Sequence, residues 1–226
     1  MSLSNQMGDA QLPAEMWQGQ PAPSKLVCVG RNYAAHAAEL NNPVPESPLL
    51  FIKPSTSLAD LRQPLVLPTD FGEVHYEAEL VVQIGQKLTR VDAMTAAAAI
   101  SGVGLALDLT LRDLQTQLKQ QGQPWEKAKA WDGACPVTPL LACPAEQDWS
   151  QLEFALWING ERKQQGKTAE MIYTVPELLS EISRYFTLLP GDLVLTGTPA
   201  GVGRLSSGDQ LRLTLGSQLS LETSVR

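Results

Sequence analysis

Two stretches of the sequence decide the fold, EVHYEAELVVQI at Glu73–Ile84 and GVGLALDLTL at Gly102–Leu111. Both show the period-2 alternation of β-strands, in which successive side chains point to opposite faces. In the first stretch Glu77 and Glu79 share one face, and in the second Asp108 lies opposite a row of aliphatic side chains. The alternation therefore predicts two strands that carry acidic side chains.

These acidic side chains predict an oxygen-rich site. Glu77 and Glu79 would lie roughly 7 Å apart along one strand and would repel each other unless a positive group compensates. Asp108 is costly to bury unless it is paired, capped or bound to a metal. Oxygen ligands select hard cations, so three carboxylates together would favour Mg²⁺ or Mn²⁺. Two alternatives stay open: an exposed strand face for the glutamates, and an N-cap role for Asp108, with Thr110 and Asp113 as a pair resembling a capping box.

The rest of the chain predicts several strands with few interspersed helices, which favours an α+β fold over a regular βαβ alternation. The sequence has no internal repeat and no evident inner boundary. Residues 1–24 are polar and rich in proline, and we expect them to form a loose N-terminal arm. Residues 25–226 are predicted to form a single domain.

Composition limits the class of protein. The chain has 226 residues, 43% of them hydrophobic and 18% charged, which is typical of a globular domain. Its net charge of -7 argues against binding to nucleic acids and to anionic membranes. We expect a cytoplasmic protein, because we find no signal peptide or spanning segment, and because the 3 cysteines form no CxxC pattern.

A histidine and a glutamate form a candidate general base. His36 and Glu39 are one helical turn apart, so they would share a helix face. A carboxylate next to an imidazole can orient the ring and raise its basicity. A solvated helix pair without a role is the alternative. The other histidine, His75, could be a metal ligand but is better interpreted as a neighbour of the site.

Further polar residues could recognise an anion. Arg112 and Gln115 would share a face of the helix that follows Asp108, and arginine can hold a carboxylate with two hydrogen bonds. Lys129 could stabilise an enolate or an oxyanion. The stretch TGTPAGVG offers Thr198 and several backbone N–H groups. The alternatives are solvent exposure for both basic residues and a plain glycine and proline turn.

Together these segments resemble the fumarylacetoacetate hydrolase family, in particular its short, single-domain branch with acylpyruvase and oxaloacetate decarboxylase members. The resemblance extends from about Lys25 to the C-terminus, with every motif in family order. The matching motifs are GRNYAAHAAEL, LFIKPSTSL, HYEAEL, GVGLALDLTLRDLQ, GQPWEKAKAWDGACPV, MIYTVPELLSEIS and LLPGDLVLTGTPAGVG.

The resemblance implies an α+β fold whose mixed β-sheets roll into a sandwich-like or barrel-like core with a few flanking helices. It also implies a homodimer and a bound Mg²⁺ or Mn²⁺. It assigns nine residues to the site: the metal ligands Glu77, Glu79 and Asp108; the catalytic residues His36, Glu39 and Lys129; and the substrate-carboxylate contacts Arg112, Gln115 and Thr198.

The activity that we expect is hydrolysis of a carbon–carbon bond in a small 2-oxo or β-keto acid of the acylpyruvate type, through a pyruvate enolate. The same enolate chemistry would serve oxaloacetate decarboxylation, keto–enol tautomerisation or isomerisation of a hydroxymuconate-type diacid. A protein of another class, in which the carboxylates hold a structural cation and catalyse nothing, is the remaining alternative.

Overall fold

The computed structural model describes residues 14–17, 19–39, 45–144 and 146–226. Helices are few and short within these residues: α1 (Ala34–Glu39), α2 (Ala93–Ala98), α3 (Arg112–Gln120), α4 (Glu126–Lys129) and α5 (Val175–Tyr185). None of the described helices is long and apolar enough to span a bilayer.

Strands make up most of the regular structure. In chain order they are β1 (Lys25–Gly30), β2 (Leu49–Pro54), β3 (Leu58–Asp60), β4 (Val74–Tyr76), β5 (Ala78–Ile84), β6 (Ile100–Leu107), β7 (Thr110–Leu111), β8 (Cys135–Val137), β9 (Leu141–Ala142), β10 (Glu153–Ile158), β11 (Glu161–Lys167), β12 (Leu193–Leu195), β13 (Gly203–Arg204), β14 (Gln210–Leu215) and β15 (Leu219–Ser224).

The strands form three sheets around a shared core. The largest has the order β2-β1-β12-β5-β6-β8-β3, with β9 also paired to β6, and it is mixed because β1–β12 and β3–β8 are parallel. A second sheet has the order β11-β10-β14-β15, and a small third has the order β13-β4-β7. Buried side chains of the first two sheets belong to one hydrophobic cluster. The predicted α+β fold with mixed sheets and few helices is confirmed.

The predicted strand Glu73–Ile84 is interrupted at Glu77. The first part, β4, pairs with β7 and β13, whereas β5 lies between β12 and β6 in the large sheet. Every residue of β5 is buried, because both faces of this central strand are covered. The alternative of an exposed glutamate face is therefore wrong: Glu77 is 6% exposed and Glu79 is 2% exposed.

The second predicted strand also divides, on either side of Asp108. Strand β6 ends at Leu107, and α3 begins only at Arg112. The N-cap position of α3 is Leu111, which makes no capping bond through its side chain. The Thr110 hydroxyl donates to the backbone carbonyl of Asp108 at 3.1 Å. The alternative of an N-cap role for Asp108 is wrong, because its carboxylate points to buried lysines instead.

Part of the expected N-terminal arm packs against the domain. Residues Ala14–Trp17 form a 3₁₀ turn, and Met16 and Trp17 are buried in a second hydrophobic cluster with Leu26 and Val81. This turn is therefore not a loose segment. Residues 1–13 and 18 of the expected arm lie outside the described residues.

Candidate active site

The three carboxylates predicted as metal ligands converge in the structure. One oxygen each from Glu77, Glu79 and Asp108 lies within 4.8 Å of the others. The pairing of β5 with β6 explains this arrangement, since Ala78 lies opposite Leu107 and the N–H of Asp108 donates to the carbonyl of Glu77 at 2.8 Å. Because β5 begins just after Glu77 and the paired strand β6 ends just before Asp108, the ends of these two strands bring the acidic side chains together.

Buried cations surround two of the three carboxylates. Lys129 Nζ lies 2.8 Å from Glu77 Oε2 and 2.7 Å from Asp108 Oδ2. The guanidinium of Arg112 donates to the other oxygen of Glu77. Glu79 instead accepts the backbone N–H of Gly197 at 2.6 Å.

These surroundings shift the carboxyl pKa values in opposite directions. Burial alone would raise the pKa of Glu77, but Lys129 and Arg112 hold it at about 2. Burial raises the pKa of Glu79 well above its usual range, and the charges of Asp108 and Glu77 raise it further. The ionised form of Glu79 therefore requires an additional positive charge nearby.

The cluster suits a hard divalent cation. Its donors are oxygens only, from three buried carboxylates whose mutual repulsion a cation would relieve. The same three side chains that the sequence indicated could hold Mg²⁺ or Mn²⁺.

A third cation beside the carboxylates, Lys53, was missed by sequence reasoning. Its side chain is 0% exposed, and its Nζ lies 2.8 Å from Asp108 Oδ1. It also donates to the carbonyls of Lys129 and Ala134. The one signal in the sequence is a lysine at the end of the apolar run LLFIKP, since a buried lysine requires a partner of opposite charge.

His36 and Glu39 form the pair that the sequence predicted. His36 is buried in α1, and its Nδ1 lies 3.3 Å from Glu39 Oε2. The Glu39 carboxylate also accepts the backbone N–H of Gly201, at 3.0 and 3.2 Å. Gly201 has a φ of +97°, and a Cβ there would lie 2.1 Å from the carbonyl oxygen of Lys163, so only glycine fits. These hydrogen bonds hold α1, which carries His36, against the glycine-rich turn that contains Gly201.

The predicted substrate contacts also lie at the site. Arg112 donates to Gln115 Oε1 at 2.8 Å, which fixes both side chains on one face of α3. The Thr198 hydroxyl donates to the carbonyl of Ala78 at 2.9 Å and accepts from Gln164 Nε2 at 2.8 Å. Its proton is therefore already engaged in holding the turn against β5.

A cavity of about 250 Å³ unites the site. Among the described residues, eight of the nine predicted site residues line it, and Glu39 lies behind His36. The alternative of a solvated helix pair is wrong for His36, which is buried. The other histidine, His75, lies outside the carboxylate cluster. Sequence reasoning missed several lining residues that come from other elements: Arg31, Phe51, Thr116, Lys119 and Trp125.

Comparisons with known proteins agree with this geometry. The family model "Fumarylacetoacetate (FAA) hydrolase C-terminal" matches residues 25–226. The chain is 51% identical to the oxaloacetate tautomerase YcgM of Escherichia coli (strain K12), over 92% of this chain and 97% of the relative. It is 38% identical to the mitochondrial oxaloacetate tautomerase FAHD1 of Bos taurus, over 88% of this chain and 90% of the relative.

A solved structure adds a bound metal to the comparison. The fumarylpyruvate hydrolase of Pseudomonas aeruginosa, in complex with Mn²⁺ and pyruvate, superposes with a TM-score of 0.83 at 36% identity, covering 91% of this chain and 90% of that one. The resemblance that the motifs indicated is confirmed over nearly the whole chain. With its mixed sheets, its clustered carboxylates and these relatives, the chain belongs to the fumarylacetoacetate hydrolase family.

Proposed function

We propose that this protein is a divalent-metal-dependent tautomerase that interconverts the enol and keto forms of oxaloacetate. One observation carries the proposal: a histidine suited to proton transfer and a permanently charged lysine line the same small cavity as the carboxylate cluster. The relatives named oxaloacetate tautomerase support this choice among the alternatives that the sequence left open. Hydrolysis of acylpyruvates, the first expectation from the sequence, stays a prediction.

The metal would be held by Glu77, Glu79 and Asp108. When bound, a divalent cation supplies Lewis-acid polarisation of the 2-oxo group and a fixed point for the adjacent carboxylate. The Mn²⁺ and pyruvate in the fumarylpyruvate hydrolase of Pseudomonas aeruginosa support a site for a metal together with a 2-oxo acid. Either Mg²⁺ or Mn²⁺ would suit the oxygen donors.

Lys129 acts as a fixed positive charge and not as a base. Although burial alone would lower its pKa, Asp108 and Glu77 raise it above the ordinary value. The ammonium group therefore keeps its protons at any physiological pH. A permanent cation beside the cavity stabilises the negative oxygen that develops when the enol loses its proton.

His36 is the group that moves the proton. With Nδ1 oriented by Glu39, the ring presents Nε2 as the nitrogen available to the substrate. Ketonisation removes the proton from the enol oxygen and adds one at C3, so the atoms balance without water or any other reactant. The imidazole can accept the enol proton on Nε2 and then deliver it to C3, which returns the ring to its starting state.

The remaining polar residues position the substrate and the metal ligands. Arg112 and Gln115 offer donors on one face of α3 for the carboxylate next to the 2-oxo group. Thr198 holds the turn against β5, and the same turn supplies the Gly197 N–H that fixes Glu79. We assign Thr198 to positioning, because its hydroxyl proton is already engaged.

The test compares three substrates with Mg²⁺ or Mn²⁺ present. The enol of oxaloacetate should be ketonised far faster than in buffer, as followed by its ultraviolet absorbance. Pyruvate release from oxaloacetate reports decarboxylation, and cleavage of acetylpyruvate reports hydrolysis. Rapid cleavage of acetylpyruvate without faster ketonisation would refute the tautomerase proposal in favour of the hydrolase.

A matched pair of variants tests the proton-transfer role. His36→Gln should lose at least about a hundredfold in ketonisation rate, the usual share of general acid–base catalysis. It should still bind Mn²⁺ in calorimetry, because His36 does not belong to the carboxylate cluster. His75, the other histidine, accepts a hydrogen bond from Arg112 Nε at 3.5 Å. His75→Gln keeps an acceptor there and should stay within a few-fold of the wild type. Equal activity of both variants would remove His36 from the mechanism.

Chelation distinguishes the enzyme from a metal-stabilised binding protein. The enzyme should lose ketonisation activity in EDTA and regain it when Mg²⁺ or Mn²⁺ is restored. A binding protein would lose thermal stability in EDTA but would show no turnover under either condition.

A further inference from the structure

Two cations at the cavity are unused by the chemistry described above. Arg31 follows the last residue of β1 and is half-buried, and Lys119 lies exposed in the last turn of α3. Both line the cavity that contains the carboxylate cluster. We call this pair the cationic rim.

The position of Lys119 on α3 places the rim toward solvent. Arg112, Gln115 and Lys119 share one helix face, with the i, i+3, i+7 spacing that aligns side chains. At about 1.5 Å of rise per residue, Lys119 lies about 10 Å along the axis from Arg112. Arg112 contacts Glu77 at the inner end of the cavity, so Lys119 marks its outer end.

Cations lie both at the carboxylate cluster and at the outer end of the cavity. Lys53, Arg112 and Lys129 each form an ion pair with a carboxylate of the cluster. Burial lowers the pKa of Lys119, and the positive charges of Arg31 and Arg112 lower it further. The outer end of the cavity is thus a region of positive potential on a protein whose net charge is -7.

We propose that Arg31 and Lys119 bind the distal carboxylate of a 2-oxo dicarboxylic acid whose 2-oxo acid end lies at the carboxylate cluster. The inference rests on the proposed function, which places that end of the substrate. A second carboxylate would remove the repulsion between the two rim cations and accept charge-assisted hydrogen bonds from both. The rim therefore selects diacids over 2-oxo acids with a neutral tail.

The cavity offers a rival surface for a neutral tail. Phe51 and Trp125 pack edge to face, with ring centroids 6.1 Å apart, and both line the cavity. An apolar acyl group would bury itself against these rings. A volume of about 250 Å³ is below the roughly 300–1,000 Å³ of sites for drug-sized ligands, so a compact substrate is expected in either case.

The test measures binding, so that it does not depend on turnover. Calorimetry with Mn²⁺ compares 2-oxoglutarate with 2-oxopentanoate, which has the same chain length but a methyl group in place of the distal carboxylate. The wild type should bind the diacid about tenfold more tightly, as expected for hydrogen bonds to a charged group. The preference should weaken as salt is added, because the rim is solvent-accessible.

Charge-removing variants locate the effect. Arg31→Gln and Lys119→Met should each lower affinity for 2-oxoglutarate about tenfold and leave 2-oxopentanoate within twofold. Lys127→Met is the matched control, because Lys127 is exposed and does not line the cavity. A parallel assay should show the same variants slowing ketonisation of enol-oxaloacetate more than that of its 4-methyl ester.

The outcomes separate this inference from the proposed function. Equal affinity of the wild type for both acids, tighter binding of 2-oxopentanoate, or an equal loss for both acids in the variants would overturn the role of the rim, even if ketonisation is fast. A diacid preference that the variants abolish would support the rim, even if the wild type does not ketonise oxaloacetate.

Discussion

Replacing Lys53 by methionine should destabilise the protein strongly, although Lys53 does not line the cavity. The substitution keeps an unbranched side chain of similar length but removes the ammonium group 2.8 Å from Asp108 Oδ1. Asp108, which is 1% exposed, would then lose one of its two cationic partners. The carbonyls of Lys129 and Ala134 would lose their donor as well.

The expected magnitude follows from the burial of this ion pair. Removing one partner of a buried pair costs about 3–5 kcal/mol, because the remaining charge is left uncompensated. For a domain of this size, 1 kcal/mol shifts the melting temperature by roughly 2–4 °C. The melting temperature of Lys53→Met should therefore fall by roughly 6–20 °C relative to the wild type.

Thermal unfolding for the melting temperature and chemical denaturation for the free energy of unfolding should both be measured in EDTA, because a bound metal would add its own stabilisation. Lys127→Met controls for loss of a lysine and should change stability by less than about 0.5 kcal/mol. Combining Lys53→Met with Asp108→Asn should cost less than the sum of the two single changes. If Lys53→Met stays within about 1 kcal/mol of the wild type, the buried pair does not have the importance assigned to it.

Three further predictions concern other parts of the structure. Gly201→Ala should lose more stability and activity than Gly208→Ala, because both glycines have positive φ but only at Gly201 would a Cβ meet backbone; equal losses would contradict this account. Burial alone would raise the pKa of Asp192, but hydrogen bonds from Lys25, Ser24 and Leu189 lower it below the ordinary value of 3.8. The stabilisation from Asp192 is therefore complete above the unfolded value and is lost as pH falls through the lower folded value. Urea unfolding should show Asp192→Asn about 2 kcal/mol less stable than the wild type at pH 7, with a difference that narrows below pH 4; a constant difference would be evidence against the charge effect. Mn²⁺ at a hundred times the dissociation constant of the wild type should stabilise the wild type by about 2.7 kcal/mol in thermal unfolding. A Glu79→Gln variant that shows the same gain at the same Mn²⁺ concentration would exclude Glu79 as a ligand.

The fold class could be predicted because the alternation of apolar and polar side chains within a strand, and the order of the motifs, can be read directly from the sequence. Asp108 stands out as an acid within an apolar run, but the residues alone left other roles open for Glu77, Glu79 and Asp108, and it was the family resemblance that implied that the three side chains meet. The interruption at Glu77 could not be predicted, because it depends on β4 leaving the large sheet to pair with β7 and β13.

Long-range partners set the limit of prediction at the site. Lys53 is 55 residues from Asp108 in the sequence, and although the apolar run LLFIKP hints that this lysine is buried, nothing near it indicates which carboxylate is its partner. Arg31 and Lys119 likewise line one cavity although they are 88 residues apart in the sequence, just after β1 and in the last turn of α3. The predicted homodimer would likewise depend on contacts that the local sequence does not reveal. It stays a prediction, which light scattering can test.

The pairing of β1 with β12 has a consequence for how the protein is made. Strand β12 inserts between β1 and β5, and the turn that follows it supplies Gly197, Thr198 and Gly201 to the site. A ribosome must therefore synthesise about nine-tenths of the chain before Glu79 meets its N–H donor or Glu39 its anchor. Sheets that pair strands so distant in sequence form slowly. A nascent chain released before residue 201 would contain the three acidic side chains but would lack the turn that completes the proposed metal site.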